Sequence, residues 1–172
     1  MNTHKQHPMN IRFTTATLPQ VDAIAALAKE IWYEHYSSII SQEQIAYMLN
    51  LMYAPNKLSE QMQEGCVFTL VYANDELIGY ASAQQKSDTE LFIHKFYIHS
   101  KARGNKVGER LLNVVLANYN TINTVQLVVN RQNFTAVNFY FKQGFIIIDA
   151  FDNNIGDGFF MNDFKMQLTL NK

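Results

Sequence analysis

The sequence of 172 residues is poor in several residue types, and each scarcity narrows the class of protein. A single cysteine, Cys66, excludes an internal disulfide and suits a reducing compartment. With three prolines and no low-complexity linker, we expect one domain over residues 10–172 behind a flexible N-terminal tail, residues 1–9. No apolar run is long enough to cross a bilayer, and the N-terminus lacks the apolar segment of a signal peptide. We therefore expect a cytoplasmic protein.

Neither sign of charge dominates the composition. The 14 Lys and Arg residues nearly balance the 15 Asp and Glu residues, for a net charge of −1. Because the charges are interspersed, the sequence predicts no broad basic face for nucleic acid or for an anionic membrane. The five histidines are scattered and no cysteine pair exists, so no spacing typical of a metal site appears. We expect neither nucleic acid nor a membrane as partner, and no metal.

What the sequence does contain is a strand, a basic glycine loop and a helix in immediate succession between Leu91 and Asn118. The strand is rich in aromatic and branched residues, and the helix repeats apolar residues at three- and four-residue steps. Arg103 and Lys106 lie between them, where the first N–H groups of the helix point outward. The segment therefore predicts an anion site built largely from backbone, and a solvated basic turn is the alternative.

The remaining apolar patterns alternate between the periods of helices and strands. We predict strands at residues 11–16, 66–72, 77–83, 124–129, 146–150 and 160–170. We predict a first helix at residues 21–36, a second that starts at a capping box of Ser41 and Gln44, and a third at roughly residues 58–64. A further helix starts at Asn133 or Thr135, either of which can cap it, and is closed by Gly144. Pro55 should end the second of these helices. This succession indicates a mixed α/β class.

Two segments carry a resemblance to the GCN5-related N-acetyltransferases (GNAT), strongest from Phe92 to Phe145. The run from Ile98 to Gly108 resembles their acyl-coenzyme A loop, a hydrophobic strand followed by [RQ]-x-x-G-x-[GA], with Lys106 in place of the first glycine. A second pattern, N-x-x-A-x-x-F-Y-x-x-x-G-F, is matched by Asn133, Ala136, Phe139, Tyr140, Gly144 and Phe145. The resemblance implies the GNAT fold, α/β (α+β), with a central twisted mixed sheet of about six to seven strands flanked by about four helices.

The same resemblance, nearest to the polyamine-type and small-molecule branch, implies an activity. The protein would transfer the acetyl group of acetyl-coenzyme A directly to a primary amine. The acceptor would be a small molecule, polyamine-like or amino-acid-like, or a protein. The alternative is a non-catalytic acyl-coenzyme A sensor or interaction module on the same fold. A homodimer is a further expectation, from exposed strands near the C-terminus.

The resemblance also assigns the cofactor contacts. The pantetheine arm would meet the backbone of Phe96, Tyr97 and Ile98. The pyrophosphate would meet Arg103, Gly104, Asn105, Lys106, Val107, Gly108 and Glu109. Asn133 and Tyr140 would lie near the other end of the arm.

Catalysis poses two proton transfers. An amine with a pKa of about 10.4 needs roughly 4–5 kcal/mol to reach its neutral form at pH 7, so a base is useful. His94 is the first candidate and Glu90 the second, although a histidine packed in the sheet is an open alternative. Tyr140 matches the general acid of the family, which would protonate the leaving thiolate. Its alternative is an aromatic that packs the helix onto the sheet.

The first predicted helix carries the candidate acceptor site. The resemblance implies that this helix lines the acceptor side, with Trp32, Tyr33 and Tyr36 as substrate-binding residues. Core packing is the alternative for these aromatic side chains. Glu30 and Glu34 could meet a cationic amine, or remain surface charges.

Overall fold

The computed structural model describes residues 10–103 and 106–170, so the predicted tail, residues 1–9, lies outside the described residues. The strands are β1 (Ile11–Thr15), β2 (Val67–Ala73), β3 (Glu76–Gln85), β4 (Glu90–Ile98), β5 (Thr124–Asn130), β6 (Ile146–Gly156) and β7 (Phe159–Thr169). The helices are α1 (Val21–Tyr36), α2 (Gln42–Tyr53), α3 (Pro55–Gln63), α4 (Val107–Ala117) and α5 (Phe134–Lys142). Single 3₁₀ turns occur at Leu18–Gln20 and Ser100–Ala102.

All seven strands form one mixed sheet, in the order β1-β2-β3-β4-β5-β7-β6. β4 and β5 are parallel and every other pair is antiparallel. One hydrophobic core lies between the sheet and α4 and α5, and a second lies between the sheet and α1, α2 and α3. The predicted α/β (α+β) class with a central mixed sheet is therefore confirmed. No helix in the described part of the chain is long and apolar enough to span a bilayer.

Local signals explain most helix boundaries. α1 spans the predicted residues, and α2 begins where the Ser41 hydroxyl accepts a hydrogen bond from the Gln44 N–H at 3.1 Å. The capping box is only half formed, because the Gln44 side chain donates to the carbonyl of Phe160 instead. Pro55 ends α2 as predicted, because the residue before a proline is held in extended backbone: α2 stops at Tyr53, and Ala54 has a ψ of 146°. Pro55 also opens α3, where its missing N–H costs nothing, so α3 begins at residue 55 rather than at the predicted residue 58.

The last hairpin is longer than predicted. β6 continues through the polar residues up to Gly156, and the connection to β7 is the two-residue turn Asp157-Gly158. Both turn residues have positive φ, 49° and 77°, as hairpin turns matching the strand twist require. The predicted end of this strand at residue 150 was wrong because β6 is the edge of the sheet, where polar side chains face solvent at little cost.

The central parallel pair diverges along its length. Pairing between β4 and β5 ends at Ile93 and Leu127. The register of β3 against β4 shifts at the same level, because Ser82 pairs with Lys95 while Ala83 pairs with Ile93. His94 is thus the extra residue of a β-bulge. The end of β4 turns away from β5 and leaves a wedge open in the middle of the sheet.

Candidate active site

The wedge between β4 and β5 opens into a cavity of about 1000 Å³. Phe96, Tyr97 and Ile98 line it from β4, and Val128 and Val129 line it from β5. Beyond residue 93 the N–H and C=O groups of β4 that face β5 have no strand partner. An extended amide-bearing chain can therefore hydrogen-bond there as a strand would.

At one end the cavity meets the start of α4. Arg103, Lys106, Val107, Gly108 and Glu109 all line it, while Gly104 and Asn105 lie outside the described residues. Free N–H groups at the start of this eleven-residue helix, together with two cationic side chains, suit a phosphate. A side chain at position 108 would crowd the Phe139 ring, because a Cβ on Gly108 would come within 3.1 Å of it.

Tyr140 extends from α5 into the cavity lining. Its ring is buried against Phe96, Phe139 and Phe145, with centroids 5.3 to 6.2 Å apart. Burial raises the pKa of Tyr140, so its hydroxyl keeps its proton at neutral pH. No described side chain hydrogen-bonds to this hydroxyl. The arrangement leaves a neutral donor available to a group inside the cavity.

On the opposite face of the sheet, aromatic side chains from α1, α2 and β4 form a polar-tipped cluster. The hydroxyls of Tyr53 and Tyr97 lie 2.9 Å apart, and the Trp32 ring packs 4.5 Å from Tyr36 and 5.3 Å from Tyr53. Trp32 and Tyr36 are four residues apart on α1 and both line the cavity. Tyr33 does not line it, because the residues of α1 that do share one face of the helix, at steps of three and four: Ile31, Trp32, His35 and Tyr36.

Asn133 joins α5 to this cluster. Its Oδ1 accepts from the Ala136 N–H at 3.1 Å and caps α5, and its Nδ2 donates to the Tyr36 hydroxyl at 3.2 Å. Asn133 lines the cavity as well. The side chain predicted for the cofactor arm therefore also links α5 to Tyr36 on α1.

The bulge in β4 places His94 and Lys95 at the cavity. His94 shares a hydrogen bond of 3.2 Å with Gln84 Oε1. Burial and the charges of Lys86 and Lys95 lower the pKa of His94 to about 4. Lys95 is only 7% exposed, with its Nζ 4.7 Å from the centroid of the Tyr53 ring, and burial lowers its pKa to about 8. Sequence alternation could not identify Lys95, since the bulge changes the face it occupies.

Of the carboxylates considered from the sequence, Glu30, Glu34 and Glu90 do not line the cavity. Glu30 Oε1 lies 2.9 Å from His99 Nε2, and Glu34 accepts a hydrogen bond from the Ser100 hydroxyl. These contacts tie α1 to the end of β4. Neither glutamate is therefore directed at an acceptor in this cavity.

Asp163 on β7 is a buried cavity carboxylate that sequence reasoning missed. It is 2% exposed, and its Oδ2 has no hydrogen-bond partner among the described residues. Burial raises the pKa of Asp163 to about 6, with Arg131 lowering it and Asp152 raising it in smaller measure. The available signal was a lone acid inside the apolar run FFMNDFKM.

Cys66 is a poor candidate for a catalytic nucleophile. Burial raises the pKa of the Cys66 thiol, which disfavours the thiolate that a nucleophile needs. Within residues 10–103 and 106–170, no three His, Cys, Asp or Glu side chains come together as a metal site.

Comparison with known proteins finds similarity to acetyltransferases. A family model described as "Acetyltransferase (GNAT) domain" matches residues 36–168. The spermidine N(1)-acetyltransferase of Thermoplasma acidophilum is 25% identical over 153 residues, which cover 83% of this chain and 92% of that relative.

Two solved structures share the fold. The PaiA N-acetyltransferase of Thermoplasma acidophilum, solved in complex with coenzyme A, has a TM-score of 0.78 at 22% identity and covers 94% of this chain and 99% of its own. A GCN5-related N-acetyltransferase from Rhodopseudomonas palustris also has a TM-score of 0.78, at 17% identity, covering 96% of this chain and 99% of its own. At these identities the likeness establishes the arrangement of helices and strands.

Proposed function

The chain belongs to the GNAT acetyltransferase family, and on that premise we propose that it transfers the acetyl group of acetyl-coenzyme A to a primary amine of a small, polyamine-like molecule. The observation that carries the proposal is the wedge between β4 and β5, which joins an anion site at the start of α4 to an aromatic pocket under α1. The likeness to a spermidine N(1)-acetyltransferase supports the acceptor class.

The residues present fit acetyl-coenzyme A along the whole wedge. The backbone of Phe96 to Ile98 would bind the amide groups of the pantetheine arm. Arg103, Lys106 and the first N–H groups of α4 would bind the pyrophosphate. Acetyl-coenzyme A supplies a thioester, whose carbonyl carbon is open to attack by a neutral amine.

Two proton movements then fall to side chains of the cavity. The C–N bond forms as the amine attacks, and the C–S bond breaks. Tyr140 would give its proton to the departing sulfur and regain one from the nitrogen of the new amide. This balances the attacking step without a metal or a covalent enzyme intermediate.

His94 is our candidate for removing the first proton from the incoming ammonium. Its low pKa keeps the imidazole neutral at pH 7, so a nitrogen lone pair is available. The same low pKa makes it a weak base: it lies about six pKa units below the ammonium, so the transfer is uphill by roughly 8–9 kcal/mol and depends on solvent taking the proton onward. Glu90 does not line the cavity, so we propose no role for it.

A second acceptor class has a specific observation in its favour. Lys95 is a buried amine with no carboxylate partner in the described part of the chain, and it lines the cavity. A carboxylate on the acceptor would bind there, as in an amino-acid-like substrate. Comparing acceptors with and without a carboxylate separates the two classes.

The decisive experiment is acetyl-coenzyme A binding followed by an amine screen. At a hundred times the dissociation constant, acetyl-coenzyme A should stabilise the fold by about 2.7 kcal/mol and raise the melting temperature by roughly 5–10 °C. Release of coenzyme A with polyamines would confirm the transfer. Saturable binding without release for any amine would favour the non-catalytic sensor, and no binding would reject both.

A further inference from the structure

Asp163 has no part in the chemistry described above. Its side chain lines the same cavity as Tyr36 and Tyr140, yet its Oδ2 is buried without a hydrogen-bond partner among the described residues. A buried carboxylate without a partner is costly for a folded protein. A ligand that supplies the missing partner would offset that cost.

The groups around Asp163 define what such a ligand must carry. Asp163 lies opposite Asn130 on β5 and Phe151 on β6. Arg131, the cation beside it, forms an ion pair with Asp152. Tyr36 approaches from α1 and contributes a neutral hydroxyl and an aromatic ring. A carboxylate bordered by an aromatic ring suits an alkylammonium group.

The two sides of the wedge differ in their buried charge. On the β4 side the buried group is the cation Lys95, and Lys86 and Glu64 are the more exposed charges that line the cavity there. On the β7 side the buried group is the carboxylate Asp163. Close to these buried groups, a cationic acceptor is repelled by Lys95 and attracted by Asp163.

We propose that Asp163 binds an ammonium group of the acceptor other than the nitrogen that reacts, and so selects diamines and polyamines over monoamines. The reacting nitrogen must be neutral when it attacks, and a carboxylate that held it as an ammonium would oppose that step. A second ammonium has no such constraint. This inference rests on the proposed function and names the residue that would confer its acceptor preference.

The test is to measure the equilibrium binding of amines to the complex of the protein with coenzyme A, a measurement that requires no turnover. The probes are 1,4-diaminobutane and 1-aminobutane, measured calorimetrically on the wild type and on Asp163→Asn. A charge-assisted hydrogen bond is worth about 1.5–3 kcal/mol, so Asp163→Asn should weaken diamine binding roughly 10- to 100-fold. Binding of the monoamine should change by less than about twofold, since it lacks the second ammonium.

The matched control is Asp157→Asn in the β6–β7 turn. It removes the same charge from the same hairpin, and its φ of 49° is one that asparagine adopts readily. This variant should bind both amines as the wild type does.

Equal diamine affinity in the wild type and Asp163→Asn would overturn the proposal, and so would an equal loss for both amines. Failure of the wild type to bind the diamine at all would overturn it too. Failure of the proposed function looks different, because no amine would then release coenzyme A, whatever residue occupies position 163.

Discussion

Asn133 Nδ2 donates a hydrogen bond to the hydroxyl of Tyr36 over 3.2 Å, and the pair joins the start of α5 to the end of α1. These helices cover opposite faces of the sheet. The contact therefore crosses the open wedge beside Asp163. It fixes the separation of the two faces where cofactor and acceptor would meet.

Replacing Tyr36 by Phe should remove that link. Asn133 is buried, so its N–H group would lose its partner, and the free energy of unfolding should fall by about 1–3 kcal/mol. Urea denaturation measures this loss. Tyr33→Phe, at the neighbouring position outside the cavity, is the control and should stay within about 0.5 kcal/mol of the wild type. Equal stability of the two variants would show that the hydrogen bond contributes nothing.

Tyr140→Phe should separate chemistry from binding. The hydroxyl has no protein partner to lose among the described residues, so stability and acetyl-coenzyme A affinity should be unchanged. Turnover should fall at least tenfold, because general acid catalysis contributes on the order of 10²–10⁴ in rate. Steady-state kinetics measures the turnover, and thermal melts with and without acetyl-coenzyme A measure the stability and the affinity. Tyr72→Phe, on β2 and outside the cavity, should keep full turnover, and full turnover in Tyr140→Phe would remove the residue from the mechanism.

Lys106 has a φ of 55°, in the left-handed region that favours glycine. A residue with a Cβ is strained there by roughly 1–2 kcal/mol in the folded state. Glycine removes this strain, but part of the gain is lost because glycine gives the unfolded chain more conformational freedom. Lys106→Gly should therefore raise the free energy of unfolding by up to about 1 kcal/mol. Lys106→Ala keeps the Cβ and should give no gain. A stability gain in Lys106→Ala would mean that removing the lysine charge, and not relieving the backbone strain, raises the stability.

The Lys106 backbone shows what a sequence pattern can predict. The resemblance placed Lys106 at the position of the first glycine in the family pattern, and the positive φ of Lys106 is one that glycine adopts without strain. The boundaries of α1 followed from apolar spacing, and capping chemistry offered Asn133 or Thr135 as the cap of α5, of which the structure uses Asn133. Local signals were therefore sufficient for most of the fold.

The site depended on relationships that local signals do not contain. The β4 bulge turns Lys95 into the cavity, and no alternation rule locates a bulge. Asp163 becomes buried only because β7 lies between β5 and β6, a matter of strand order. Glu30 and Glu34 were attractive as acids on the helix predicted to line the acceptor site, but their partners His99 and Ser100 come from a distant segment.

His94 should titrate far below an ordinary histidine. Its pKa of about 4 results from burial, Lys86 and Lys95, in that order. Lys86→Met removes one neighbouring positive charge and should move the pKa of His94 upward. An NMR titration of the imidazole C–H signals measures the shift. Lys101→Met, at the opposite end of β3 beside Glu76, is the control, and an equal shift in both variants would contradict the local charge effect.

Asp163 should make stability fall as the pH rises. Folding raises its pKa from 3.8 to about 6, so between these values the folded state holds a proton that the unfolded state has released. The charged groups that face it are Arg131, which opposes the shift, and Asp152, which supports it; Tyr36 stays neutral.

Asp163→Asn removes this titration. Its melting temperature relative to the wild type should therefore be lowest near about pH 4, rise through pH 6 and level off above about pH 7. Asp157→Asn, the exposed acid of the same hairpin, should show no such trend. The measurement is a series of thermal melts of the wild type, Asp163→Asn and Asp157→Asn between about pH 4 and pH 7. A difference that stays constant with pH would mean that Asp163 is ionised throughout, with a cation beside it in the free protein.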